Sequence, residues 1–305
     1  MSDARSTEVE ARPSRLGCVS YLNTLPLIEG LGKTKDARLT LTPPSGLADL
    51  LVAGEVDVAL ASVIDYQRAP ESLVLCPVGM IGCDGPTLTV RLFSSVPIDG
   101  ARRVHCDVDS HTSLDLLRVL LHARTGVVPT IEAFDADAFR ASREQPERED
   151  APTPENRQGW PEALLLIGDK VVSDSPPAIL YPHQLDLGEA WHELTGLPFV
   201  YAMWMCREHD AGSAEVRRAL ALLDRTRRHN ATRTDWIVAQ RAPRHDWPPE
   251  LARAYVKDML RYEVGPRERE AVEKFFDLAH AAGVIDERRP TIWAEEMRER
   301  TERDQ

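Results

Sequence analysis

Short apolar runs of β character alternate with stretches of helical spacing through the first two thirds of the chain, which predicts α/β units with parallel strands. Leu16 to Val19 reads as a strand, Leu25 to Leu31 as a helix with Pro26 tolerated in its first turn, and Arg38 to Thr42 as the next strand. Ser45 is placed to cap a helix reaching Ala53, Gly54 stops it, and the unbroken apolar run Val56 to Ala61 predicts a buried strand. Extended segments follow at Leu73 to Ile81 and Leu88 to Phe93. After Pro97 the pattern restarts with a strand at Arg103 to Cys106, a helix at Leu114 to Ala123, and strands at Val127 to Ala133 and Ala163 to Ile167. A helix then runs from Asp186 to Thr195, ended by Gly196, and Phe199 to Cys206 is a strand. From Ser213 onward the spacing of Leu220, Leu223, Ile237, Ala271, Phe275 and Leu278 is helical.

This order predicts an α/β chain of two lobes with a helical C-terminal region packed on the first. The first lobe would hold 1–94 and 200–305, the second 95–199. The chain would cross near Ser94 to Pro97 and return near Gly196 to Tyr201, and two crossings form a hinge beside a cleft where ligands bind. Ser142 to Gly159 is polar, Pro-rich and without period, and reads as a surface loop.

A length of 305 residues accommodates two domains, and no apolar stretch approaches the roughly 18 residues of a membrane span. Met1 to Arg15 is polar and charged, without the apolar core of an export signal, so a cytoplasmic protein is expected. The five cysteines are far apart and unpaired in spacing, so reduced, buried thiols are expected and no metal site. A net charge of −12 disfavours nucleic acid; Arg217, Arg218, Arg225, Arg227, Arg228 and Arg233 cluster, but Glu215, Asp224 and Asp235 are interleaved as on a solvated face. No membrane partner is expected either, and the sequence leaves the oligomeric state open.

In such units the loops at the carboxyl ends of strands face the ligand, and helix N-termini there present unpaired N–H groups to anions. Four segments fall at these places: Ser20 to Thr24, Ser62 to Tyr66, Gly85 to Thr89 and Asp109 to Ser113. All are rich in hydroxyls and amides and poor in strong bases, which suits a polar anion held by neutral hydrogen bonds. Each alone could equally be a set of helix caps. His111 is the best placed of nine histidines, although a capping or solvent-facing role is simpler for it than that of a base. Asp169 reads as bonding backbone or hinge groups, Asp65 and Tyr66 as fixing their loop, and Trp191, Tyr201 and Trp204 as packing, with Trp204 able to line the cleft.

The run Val19-Ser20-Tyr21-Leu22-Asn23-Thr24-Leu25-Pro26-Leu27 resembles the opening motif of the chorismate dehydratases of menaquinone biosynthesis by the futalosine pathway. Gly54 to Ala59, Leu166 to Asp169, Asp186 to Trp191, Thr195 to Val200, and Arg261-Tyr262 with the Phe275-Phe276 helix extend the resemblance in order from Leu16 to Ile285. It implies the two-lobe fold of type II periplasmic solute-binding proteins and loss of water from chorismate, giving 3-[(1-carboxyvinyl)oxy]benzoate; no cofactor or metal is expected, because the sequence has no ligand cluster, Gly-rich dinucleotide turn or P-loop. From these loops Asn23 and Thr89 are expected as catalytic residues, and Ser20, Tyr21, Ser62, Ser110, His111, Thr112, Ser113 and Asp169 as substrate-binding residues. Ser110, Thr112 and Ser113 are expected to anchor a substrate carboxylate from the second lobe, with Asp109 as the helix cap, so that the ligand draws the lobes together. The chain departs from the family in Thr89, more often serine, in His111, and in the inserted Ser142 to Gly159. Rival readings are the sister enzyme forming 1,4-dihydroxy-6-naphthoate, whose opening motif is of a Cys-Pro-Asn-Asp type, a non-catalytic solute receptor, and a ligand-sensing domain.

Overall fold

A computed structural model describes residues 12–106, 110–135, 153 and 159–297. The predicted alternation resolves into two mixed sheets. The first takes β1 (Ser14–Cys18), β2 (Ala37–Leu41), β3 (Val58–Ser62) and β4 (Leu73–Cys83). The second takes β5 (Val90–Ser94), β6 (Arg103–Cys106), β7 (Thr130–Ala133), β8 (Ala163–Ile167) and β9 (His183–Asp186), after which β10 (Phe199–Arg207) and β11 (Leu260–Arg261) return to the first. Spatial order is β11, β4, β10, β3, β1, β2 in the first sheet and β7, β6, β8, β5, β9 in the second. β1 pairs in parallel with β2 and β3, and β6 with β7 and β8, as the α/β pattern requires. β10 and β5 run antiparallel to their neighbours and make both sheets mixed.

The helices used below are α1 (Leu25–Ile28), α2 (Leu47–Val52), α3 (Asp65–Arg68), α4 (His111–Thr125), α5 (Leu187–Thr195), α6 (Ala214–Ala231) and α7 (Pro266–Ala281). α5 ends where the sequence places it and begins one residue later, with Asp186 as its cap: the Asp186 carboxylate accepts the Gly188 and Glu189 N–H groups, and Gly196 closes the helix in the left-handed region at φ 69°. Ser45 does not cap α2, because Pro44–Gly46 forms a 3₁₀ turn that leads into the helix. Asp109 and, apart from residues 153 and 159, the Ser142 to Gly159 segment lie outside the described residues.

The first crossing differs from expectation. β5 lies inside the second sheet between β8 and β9, so the chain leaves the first sheet after Cys83 and not near Ser94. The burial of Leu92 and Phe93 between two partner strands explains the placement, since an extended apolar run fits either sheet until its neighbours are known.

The C-terminal helices divide. α6 packs on α1, β1 and β4 as expected, burying Val216, Leu220 and Leu223 with Leu16, Val74 and Trp204. α7 instead lies against both β10 and α4, so the tail is not confined to the first lobe. Its Phe275 meets the edges of Trp191 and Phe199, at ring-centroid distances of 6.0 and 5.0 Å, within a core that also takes Met203 from the first sheet and Leu92 and Leu165 from the second.

Three polar contacts join the lobes beside this shared core. His111 Nδ1 lies 2.7 Å from Asp65 Oδ1, the Ile64 N–H donates to Thr112 Oγ1 at 3.3 Å, and Arg68 pairs with the fully buried Asp115 at 2.6 Å. α3 is thereby latched to the start of α4. The hydrogen bond to Asp65 raises the His111 pKa against the opposing effect of burial; the Asp65 charge adds to the rise, Arg68 opposes it and Asp115 assists. Because the folded value is raised, the latch's contribution is complete below the ordinary histidine value of about 6.5 and is lost as pH rises through the higher folded value. Thermal stability measured by calorimetry is expected to fall as pH rises above about 6.5, with a shallower fall in His111→Gln. Equal slopes in the two proteins would remove His111 from the latch.

Candidate active site

The carboxyl ends of β1, β3 and β8 and the start of α4 converge on a cleft between the sheets, where about 620 Å³ of space, part of it open to solvent, lies between the walls. That is the size of a small-molecule site. Val19, Leu60, Ile81, Val90, Ile167 and Leu260 give it an apolar body, and its polar side chains are those of Tyr21, Asn23, Ser62, Thr87, Thr89, Ser110, Ser113, Tyr201 and Tyr255. Among the described residues lining it, none carries a charge. Six of the ten residues singled out in the sequence are brought together here: Tyr21, Asn23, Ser62, Thr89, Ser110 and Ser113.

Thr89 is set by a strained turn. Its N–H donates to the Thr87 carbonyl at 2.7 Å, closing a three-residue turn with Leu88 at φ 63°, a conformation that costs a branched side chain about 1 to 3 kcal/mol. Asp186 holds that turn: its carboxylate accepts the Thr87 N–H at 2.9 Å and the Leu88 N–H at 2.7 Å while also capping α5. Gly188 makes room for the approach, since a Cβ there would lie 2.6 Å from both Cys83 Sγ and the Gly85 carbonyl oxygen.

Asn23 sits on a 3₁₀ turn, Leu22–Thr24, at the carboxyl end of β1. Its amide and the Thr89 hydroxyl meet at the phenol of Tyr255: Asn23 Nδ2 donates to the phenol oxygen at 3.4 Å, and the phenol and Thr89 Oγ1 are 2.8 Å apart. Tyr255 opens a π-helical turn over Tyr255–Met259, a backbone distortion that recurs at functional sites, and its ring stacks on Trp247 at 4.9 Å. Burial raises its pKa far above that of free tyrosine, with the Thr89 and Asn23 hydrogen bonds opposing, so the phenol stays neutral.

The N-terminus of α4 also lines the cleft. Ser110 is the N-cap residue but its side chain caps no backbone N–H; its hydroxyl donates to Ser113 Oγ at 3.0 Å, and both side chains line the cleft. A fifteen-residue helix thus brings its positive end, which the Ser110 side chain does not cap, to the space.

Four expectations are corrected. Ser20 is exposed and outside the lining. Thr112 is fully buried with its hydroxyl occupied by the Ile64 N–H, so it joins the lobes and does not face a ligand. His111 is turned to Asp65. Asp169 lies 3.1 Å from His245 Nδ1, and it is the preceding Gly168 that borders the cleft, its N–H donating to the Thr89 carbonyl at 2.8 Å. Trp204 is in the core behind the cleft, whereas Tyr201 lines it, 8% exposed, with its hydroxyl beside Thr87 and Cys83 but not in hydrogen-bond geometry with either. Sequence reasoning missed Thr87, Tyr201 and Tyr255. The first two stand in or next to quoted motifs, while Tyr255 lies in a charged helical stretch with no motif around it.

A chorismate dehydratase of Thermus thermophilus is 28% identical over 278 residues, covering 87% of this chain and 94% of that protein. The solved structure of protein AF1704 from Archaeoglobus fulgidus superposes with a TM-score of 0.62 at 16% identity, over 90% of this chain and 100% of that one. The alkanesulfonate-binding protein SsuA from Xanthomonas axonopodis pv. citri, bound to MOPS, gives a TM-score of 0.60 at 14% identity, over 94% and 98% of the two chains. The Candida albicans CA3427 gene product, described as having the generic periplasmic binding protein fold, gives 0.58 at 14% identity, over 91% and 92%. These likenesses show the two-lobe periplasmic-binding-protein fold expected from the sequence. The model of a menaquinone-biosynthesis family matches residues 14–281, and the chain belongs to that family.

Proposed function

We propose that this protein is a chorismate dehydratase acting in the cytoplasm on the futalosine route to menaquinone, and that it converts chorismate to 3-[(1-carboxyvinyl)oxy]benzoate. The observation that carries the reading is a cleft whose described lining holds no charged side chain and brings Asn23 and Thr89 together with the N-terminus of α4. The similarity to the Thermus thermophilus enzyme supports the choice of substrate.

The chemistry suits such a cleft. The proton to be lost sits on the ring carbon bearing the enolpyruvyl ether and is vinylogous to the ring carboxylate. Its C–H bond breaks, a ring double bond forms, and the C–O bond to the neighbouring hydroxyl breaks; the departing hydroxide takes up a proton as water, and the ring is aromatic. Much of the driving force is therefore in the substrate, and no strong protein base is required. In this reading the enolpyruvyl carboxylate accepts the proton. The α4 N-terminus, Ser110 and Ser113 hold a carboxylate, and Asn23 and Thr89 donate hydrogen bonds where charge builds during elimination. The apolar walls exclude competing water.

Incubation of the purified protein with chorismate should yield the aromatic enol ether by chromatography; binding without product would favour a solute receptor. Asn23→Ala and Thr89→Ala should each lower turnover by about 10- to 100-fold, the kinetic equivalent of roughly 1.5 to 3 kcal/mol for a hydrogen bond to charge, with unchanged circular dichroism. Wild-type rates in both would take these residues out of the site. Activity should survive EDTA dialysis, because the described residues lining the cleft offer hydroxyls and an amide and no carboxylate, imidazole or thiol. Loss of activity restored by a divalent metal would contradict this.

A further inference from the structure

We infer that Tyr255 is a positioning residue that fixes the direction of a hydrogen-bond relay and leaves the Thr89 hydroxyl as a donor to the bound ligand. The inference rests on the function proposed above. It starts at Thr24, whose buried hydroxyl donates to Asn23 Oδ1 at 3.1 Å and so orients the amide. The other end of that amide, Nδ2, can only donate, and it faces the Tyr255 oxygen at 3.4 Å. A phenol has one hydrogen. With its oxygen receiving from Asn23, that hydrogen is directed to Thr89 Oγ1, 2.8 Å away. Thr89 then accepts from Tyr255, and its own hydrogen is left for the cleft that its side chain lines.

The relay spans the lobes, since Asn23 follows β1 in the first sheet and Thr89 enters β5 in the second. Tyr255 belongs to neither sheet, and it is held 1% exposed by stacking on Trp247 and by the cluster of Leu22, Val238 and Val256. Its placement is therefore independent of the ligand. The consequence for the reaction is that Thr89 stabilises negative charge, on the departing hydroxyl or a carboxylate, and does not act as a base. A reversed relay, with the amide turned over, would make Thr89 an acceptor and would give it the opposite role.

The test is a double-mutant cycle on chorismate turnover with Tyr255→Phe, Thr89→Val and the pair combined. Tyr255→Phe keeps the ring that stacks on Trp247, and Thr89→Val keeps the side-chain shape, so thermal melts should stay close to wild type. Each single variant is expected to lose about tenfold or more in kcat with KM changed by less than about threefold, and the double variant should be no worse than the poorer single, because both remove one relay. Thr89→Ser, which retains the hydroxyl, should restore most of the rate. Multiplying losses in the double variant, or Tyr255→Phe at the wild-type rate, would overturn the relay. If the wild type does not convert chorismate, the proposed function fails, and the relay is then judged by calorimetric binding of 3-[(1-carboxyvinyl)oxy]benzoate to the same four proteins. Equal, non-multiplying losses of affinity would support it, and unchanged affinity in Tyr255→Phe would overturn it.

Discussion

The buried carboxylate of Asp186 is the point on which the site depends. It accepts the N–H groups of Thr87, Leu88, Gly188 and Glu189 and lies 3.4 Å from Arg91, so its lone pairs are filled from both segments that link the two sheets. One group thus caps α5 and holds the turn at Leu88 in a conformation the chain would not adopt unaided. Thr89 follows that turn directly, and the Gly168 N–H bonds its carbonyl from the end of β8. Displacing Asp186 would move Thr89 away from Tyr255, and with it the meeting of the two lobes in the cleft. The absence of space at Gly188 is part of the same constraint.

A second constraint is electrostatic. The chain carries a net charge of −12, and the described lining of its cleft holds no cation to attract an anion. Any anion bound there is held by contacts of short range: the positive end of α4, and hydroxyl and amide donors in a site with apolar walls, where each donor acts more strongly than in water. The charged groups nearby are matched to each other outside the lining, as His111 is to Asp65 and His245 to Asp169. The latch at α3 and α4, together with the core that α7 shares between the lobes, holds the lobes together without a ligand. Large hinge opening would have to break these contacts.

Much of this was legible in the sequence. Periodicity placed β8 at its observed limits and α5 to within one residue, because a five-residue apolar run and a Gly stop are local signals. The first crossing was placed too late, because Leu88 to Phe93 is extended in either sheet and only long-range pairing decides which one it joins. At the start of α4 the loop was found but not its phase. Successive helical residues point about 100° apart, so Ser110 and Ser113 share the face toward the cleft while Thr112 turns to the first lobe. Tyr255 left no trace in the sequence, since its partners are 166 and 232 residues away.

The central claim is that a dianion is recognised by neutral donors and a helix end, against the field of an acidic protein. The dependence of kcat/KM for chorismate on ionic strength measures this directly. With no attracting cation to screen, kcat/KM should stay level or rise as sodium chloride is increased from about 50 to 500 mM, because salt weakens only the long-range repulsion. A fall of about tenfold or more over that range would show that positive side chains draw the substrate in, and would contradict the account.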